Sequence, residues 1–141
     1  MTLTLHGSAV AWADAGQPRG VLILGASGSG KSALALQLMA FGCVLIADDL
    51  VTVQARDGVL LAQAAKPLQA IEARGVGILA APLLGITPLS LAVDMDQSET
   101  ERLPPLRHAT WLGIDVPLVH NSASPHFPAA ILHYLKHGRV A

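Results

Sequence analysis

Gly25-Ala26-Ser27-Gly28-Ser29-Gly30-Lys31-Ser32 satisfies the pattern G-x-x-x-x-G-K-[ST] at every fixed position. Chemistry of this kind uses a backbone turn rather than a side-chain pocket to receive a polyphosphate. Glycines at 25, 28 and 30 let successive N–H groups turn inward, and the helix that follows adds the positive end of its dipole. Phosphate oxygens then meet donors all along residues 25 to 32. Lys31 adds a full positive charge for the β- and γ-phosphates, and the Ser32 hydroxyl suits Mg²⁺, so the implied ligand is a polyphosphate with its metal, and ATP and Mg²⁺ are the expected cofactors although nothing in the sequence marks an adenine pocket. A plain Gly/Ser turn before a helix has no use for lysine followed by serine.

Two adjacent carboxylates, Asp48 and Asp49, follow the apolar run Val44-Leu45-Ile46-Ala47, where phosphate-loop proteins place their Walker B acid. Consecutive residues leaving a strand point to opposite sides. One aspartate can therefore face Mg²⁺ or its water shell while the other faces an incoming nucleophile. A carboxylate beside a nucleophilic hydroxyl can accept its proton, the general-base step of phosphoryl transfer to an alcohol. A simple turn after a strand is the other use of such a pair, and the loop and helix upstream argue against it.

These groups need a strand, loop, helix and strand to hold them. Val21-Leu22-Ile23-Leu24 reads as a buried strand entering the loop, and Ser32 to Phe41 as a helix apolar nearly all round, ended by Gly42. Val44 to Ala47 reads as a second strand covered on both faces, completing a βαβ unit. Leu3 to Trp12 is rich in strand formers and is joined to the first buried strand by the turn Asp14 to Gly20. Downstream, Leu50 to Ala55 and Val59 to Ala62 flank Arg56-Asp57-Gly58, a hairpin signal that mixes antiparallel strands into the sheet. Pro67 to Ile71 suggests a short helix, Gly75 to Leu79 and Leu89 to Asp94 suggest strands, and Asp94 to Pro105 a solvated loop. Phe127 to Gly138 closes the chain as a helix with cationic groups in its last turn.

A length of 141 residues fits one domain, residues 1–141. Nine Lys and Arg against ten Asp and Glu, with no run of either sign, argue against a sequence-independent grip on nucleic acid or on an anionic membrane. No apolar stretch approaches the length of a membrane span, and the start lacks the basic and apolar regions of a signal peptide. The single cysteine, Cys43, cannot form an internal disulfide, so a reducing cytoplasm is expected. With 52% hydrophobic and 13% charged residues, part of the surface is expected to be buried between subunits of a homo-oligomer.

Four segments together resemble the catalytic C-terminal domain of HPr kinase/phosphorylase, which phosphorylates a serine of the phosphocarrier protein HPr. They are Leu5-His6-Gly7, the loop Gly25 to Ser32, Val44 to Asp49, and Ile71-Glu72-Ala73-Arg74-Gly75-Val76-Gly77-Ile78, which is similar to the signature E-x-R-G-x-G-I. The resemblance covers about residues 3 to 105. It implies an α/β phosphate-loop kinase domain with a mixed sheet and the loop at its edge. It also implies kinship with the phosphoenolpyruvate carboxykinase-like nucleotide-binding fold, and often a hexamer. It assigns His6 to the family's catalytic histidine, Lys31 to the phosphate-binding lysine, Ser32 and Glu72 to Mg²⁺, and Asp49 to the general base, with Asp48 supporting the metal's waters. Arg102 aligns with a catalytic arginine in a mobile loop, where a guanidinium can close on phosphoryl oxygens.

Departures from the family pattern bear on direction. Ala33 stands where an acidic residue usually follows the loop serine, and Pro117-Leu118-Val119-His120-Asn121-Ser122 lacks the proline-flanked arginine used in dephosphorylation. Kinase activity is expected to outlast phosphorylase activity. A small-molecule kinase and a nucleotide-gated regulator are the alternative readings of the same loop. His108, His120, His126, His133 and His137 lack a tight metal-ligand spacing. Trp12, Trp111 and Phe127 read as packing residues, and Cys43 as a small core residue.

Overall fold

The computed structural model describes residues 1–14 and 16–141. The turn expected over Asp14 to Gly20 includes Ala15, which lies outside the described residues.

The elements run β1 (Thr2–Trp12), β2 (Arg19–Leu24), α1 (Lys31–Ala40), β3 (Val44–Ala47), β4 (Leu50–Arg56), β5 (Val59–Ala64), β6 (Ala70–Ala73), β7 (Gly77–Ala80), β8 (Thr87–Ser98), β9 (Arg107–Trp111), β10 (Ile114–Asn121) and α2 (Phe127–His137). β1 is the hub. Its residues 7 to 12 pair antiparallel with β2, residues 9 to 11 with β3, and residues 2 to 6 with β4. Because β2 and β3 both oppose β1, they run parallel to each other with β1 between them, and α1 makes the crossover. The βαβ unit is thus present, but it straddles a strand contributed from upstream.

β8 runs parallel to both β2 and β10 and touches β5 through Leu61 and Ala62, so the pairings β2–β1–β4–β5–β8–β2 close on themselves. The sheet is mixed, as expected. β2 has neighbours on both sides, and the loop leaves its carboxyl end, so the loop lies at the tip of a central strand rather than along a lateral edge.

Period-2 alternation sends successive residues of the shared strands to two cores. Val10, Val21, Ile23, Leu91 and Val93 face α1 and α2, meeting Leu34, Leu38, Ile131 and Leu135. Ala9, Leu22, Ile46 and Ala92 face the other way, meeting Val51, Val53, Leu60 and Val116. A bulge at Ser90, where Gly20 opposes Leu89 but Val21 opposes Leu91, turns those two leucines to different cores. α2 is tied down by Arg19, whose Nη1 donates to Leu135 O at 3.0 Å and Lys136 O at 2.8 Å, and by Lys136 Nζ 4.7 Å over the Trp12 ring.

Several expectations change. Pro67 to Ile71 forms no helix. Residues 70 to 73 are a strand because Ile71 and Ala73 are buried while Glu72 between them is exposed, a period of two. The acidic segment after Asp94 stays extended to Ser98 because β10 provides a parallel partner through His120 and Asn121. α1 is buried on one face only, with Ala33, Gln37 and Ala40 exposed. β9 and β10, joined at Leu112-Gly113, both at positive φ, had no strong sequence signal. The Asp57-Gly58 hairpin is as expected, with φ of +53° and +76°. Trp12 and Phe127 pack on the helix-side core and Trp111 on the other. No helix among the described residues is long and apolar enough to cross a membrane.

Candidate functional site

The loop leaves β2 through Gly25 at φ +152°, where a Cβ would lie 2.5 Å from Ser29 Oγ and 3.0 Å from Met95 Cβ. Only glycine fits there. Ser29 N donates to Ala26 O at 3.0 Å, closing the turn, and the buried Ser29 Oγ has no hydrogen-bond partner among the described residues. Gly30 caps α1 in the left-handed conformation, φ +98°, with no side-chain cap and no acidic residue in the first turn. The first helical bond runs from Leu34 N to Gly30 O, so the amides of Lys31, Ser32 and Ala33 open the helix without intrahelical partners. That end of the helix is built to receive an anion.

Lys31 Nζ lies back over the loop, donating to Gly25 O at 2.7 Å and Ala26 O at 3.0 Å. Ser32 Oγ donates to Asp48 Oδ1 at 2.7 Å. Ser8 Oγ donates to the same oxygen at 2.7 Å, and the amide of Glu72 donates to Oδ2 at 3.2 Å. One carboxylate thus joins β1, α1 and β6 at the foot of the loop.

Asp49 departs from Asp48 sharply. Its φ is +73° and Leu50 N donates across it to Asp48 O at 2.9 Å, a γ-turn of the strained kind. Gly7 N braces the turn by donating to Asp49 O at 3.0 Å. The turn leaves Asp48 half-buried against Ser32 and Asp49 exposed. His6 is exposed on β1, two residues from Ser8 and hence on the same strand face.

Of the residues singled out by sequence, Ser32 and Asp48 come together directly, while Lys31 meets the loop carbonyls of Gly25 and Ala26. Glu72 joins through its backbone, Asp49 through the Gly7 contact, and His6 through its strand. Ala26, Ser27 and Gly28 form the exposed outer rim of the loop. Arg102 is exposed in the segment after β8 and makes no hydrogen bond or ion pair among the described residues. The nearby ion pair is Arg107 with Glu99. That guanidinium holds the Glu99 carboxyl below its usual value. Cys43 is buried, and burial pushes its thiol up to about 11, in keeping with a packing role.

Two contacts had not been foreseen. Asp96 receives Ala26 N with both carboxylate oxygens at 3.0 Å, anchoring the start of the loop to β8. Ser8 is the other. Its only trace in the sequence is a polar residue inside an apolar strand, on the face it shares with Val10 and Trp12.

The Ser32 hydroxyl and the Asp48 carboxylate are hard oxygen groups of the kind that suits Mg²⁺, beside an uncapped helix start, and Glu72 is brought to them by its backbone amide; no group of three or more His, Cys, Asp or Glu side chains among the described residues is drawn together as a metal cage.

Comparisons with known proteins bear on the family and the fold. The family model described as HPr Serine kinase C-terminal domain matches residues 2–102. An HPr kinase/phosphorylase of Alkaliphilus metalliredigens is 38% identical over 99 residues, 67% of this chain and 30% of the relative. One from Exiguobacterium sibiricum is 50% identical over 62 residues, 43% of this chain and 20% of the relative. The chain therefore spans about a fifth to a third of the length of these curated relatives. Among solved structures, the Hpr(Ser) kinase/phosphatase from Coxiella burnetii superposes with a TM-score of 0.75 at 23% identity, covering 95% of this chain and 94% of that one, which establishes a common mixed α/β fold. With a phosphate loop, an acidic strand end and the E-x-R-G-x-G-I hairpin inside a matched span of residues 2–102, the chain belongs to the HPr serine kinase C-terminal domain family.

Proposed function

We propose that this chain is an ATP- and Mg²⁺-dependent protein kinase that phosphorylates a serine of an HPr-type phosphocarrier protein in the cytoplasm. The observation that carries the reading is the hydrogen bond from Ser32 to Asp48 at the foot of a loop whose helix starts uncapped. The curated relatives bear the name HPr kinase/phosphorylase, which supports the choice of substrate.

The loop amides from Gly25 to Ser32 and the Lys31 ammonium bind the triphosphate and offset charge developing on the transferred group. Bound Mg²⁺ supplies Lewis-acid neutralisation of the phosphate oxygens. Ser32 and Glu72 are the residues that would hold it, and Asp48 would support its water shell. Asp49, exposed at the γ-turn, accepts the proton of the substrate serine. The serine oxygen bonds to phosphorus as the bond to the β-phosphate oxygen breaks. His6, on the strand face of Ser8, contacts the carboxylates or the phosphate, and Arg102 closes from the segment after β8. Oligomerisation, with a hexamer as the family's form, covers apolar side chains that are exposed here, among them Val76 and Ile78 on the β6–β7 hairpin. Ala33, and the absence of arginine between Pro117 and Ser122, leave reverse dephosphorylation the weaker activity.

Labelled ATP incubated with purified HPr, and with HPr lacking its target serine, tests the proposal. Label on the first protein alone supports it. No label on either, or equal label on both, removes HPr serine as the acceptor.

A further inference from the structure

We propose that Ser8 is a positioning residue of the phosphate site. Its hydroxyl fixes Asp48 so that Ser32 presents its lone pairs to the metal of a nucleotide–metal complex. The inference rests on the proposed function only for the metal-bound nucleotide, and not for the protein substrate.

Ser8 and Thr87 are the two fully buried polar side chains among the described residues. Thr87 satisfies itself locally, donating to Gly85 O at 2.8 Å, two residues away. Ser8 reaches forty positions along the chain instead, to Asp48 Oδ1 at 2.7 Å. Its neighbours on the same strand face, Val10 and Trp12, are apolar and pack under the helices. Alanine would occupy that place with no polar atom to satisfy, and a buried hydroxyl is costly unless bonded. The hydroxyl therefore serves its one partner.

That partner is shared. Oδ1 takes both Ser8 and Ser32 at 2.7 Å, and Oδ2 takes Glu72 N at 3.2 Å. Donors from three elements converge on one carboxylate and fix its rotation. Ser32 commits its proton to Asp48, so its lone pairs remain for a cation. Ser8 holds Oδ1 from the interior side, where no water can substitute because the residue is wholly buried. Without it the carboxylate turns toward solvent, the Ser32 hydroxyl loses its fixed acceptor, and the Glu72 amide loses its own.

The test uses Ser8→Ala and Ser8→Thr, the second keeping the hydroxyl. In the ligand-free protein, Ser8→Ala is expected to speed hydrogen exchange of the Glu72 amide about tenfold while the Val10 amide is unchanged. In calorimetric titrations with ATP, the Mg²⁺ concentration for half-maximal binding should rise about tenfold, as for other groups that orient metal ligands, with metal-free nucleotide binding unaltered. Ser8→Thr should restore both. In an Asp48→Ala background, Ser8→Ala should add nothing, since it acts through that carboxylate. Unchanged exchange at Glu72, an unchanged Mg²⁺ requirement, or a full additive effect on Asp48→Ala would overturn the proposal. If the parent protein binds ATP without regard to Mg²⁺, the metal-site reading falls, and Glu72 exchange still decides whether Ser8 positions Asp48.

Discussion

Lys31→Ala separates the work of the phosphate loop from its stability. In the free protein the ammonium is half-buried and donates to two loop carbonyls, Gly25 O at 2.7 Å and Ala26 O at 3.0 Å. Both carbonyls border solvent and can be rehydrated, so the loss costs about 1 kcal/mol or less after allowance for screening. At about 2.1 cal/mol/K per residue of unfolding entropy, a chain of this length loses roughly 3 °C in Tm per kcal/mol. On the proposed function catalysis loses far more, because there the same charge stabilises the transferring phosphoryl group. Removing one such donor lowers kcat by about 100- to 1000-fold, or ~2.7–4 kcal/mol. The expected outcome is a Tm within about 3 °C of the parent beside a turnover reduced at least ~100-fold. Scanning calorimetry and transfer from labelled ATP measure the two halves. Turnover within about twofold of the parent would refute the role of Lys31, and a Tm drop beyond ~10 °C would show that its contacts are structural instead.

Other perturbations reach other parts of the account. If Ser32 and Glu72 hold the metal as proposed, Ser32→Ala and Glu72→Gln should each raise the Mg²⁺ concentration for half-maximal rate, because each would remove an oxygen or a charge from it. Identical titration curves for parent and both variants would place the metal elsewhere. Gly7→Ala should cost about 1–2 kcal/mol, or roughly 3–7 °C, since its Cβ would meet the backbone oxygen of Ile23 at 2.7 Å and push β1 from β2. An unshifted melting curve would contradict that contact. Arg107 holds the Glu99 carboxyl below the ordinary value, so the ion pair stabilises the fold at neutral pH and is lost as pH falls from about 4 toward the lowered value. Glu99→Gln should flatten the acid side of the stability profile, and an unchanged profile would show the pair contributes nothing.

Local signals were legible where backbone chemistry is stereotyped. The loop, its helix and the hairpin at Asp57-Gly58 each require particular residues at fixed spacing, and the structure places them accordingly. Long-range pairing was not legible. Nothing near Asp94 announces that β10 will lie beside it, so an acidic, proline-flanked stretch read as a loop. Pro67 to Ile71 failed for a related reason: only the partner strand β7 makes the period of Ile71, Glu72 and Ala73 a strand period. At the site, the sequence singled out the loop and two aspartates facing opposite ways, but not the contacts that part them. Those depend on the positive φ of Asp49, and on Ser8 and Asp96 arriving from strands distant in sequence.

The central claim is that Lys31, Ser32 and Asp48 form the seat of a metal-bound triphosphate. A crystal structure of the protein with Mg²⁺ and a non-hydrolysable ATP analogue tests it most directly. The account expects Lys31 Nζ to leave Gly25 O and Ala26 O for phosphate oxygens, with Mg²⁺ bound to Ser32 Oγ and Asp48 at its waters. A triphosphate seated away from residues 25 to 32, or a metal out of reach of Ser32, would contradict it.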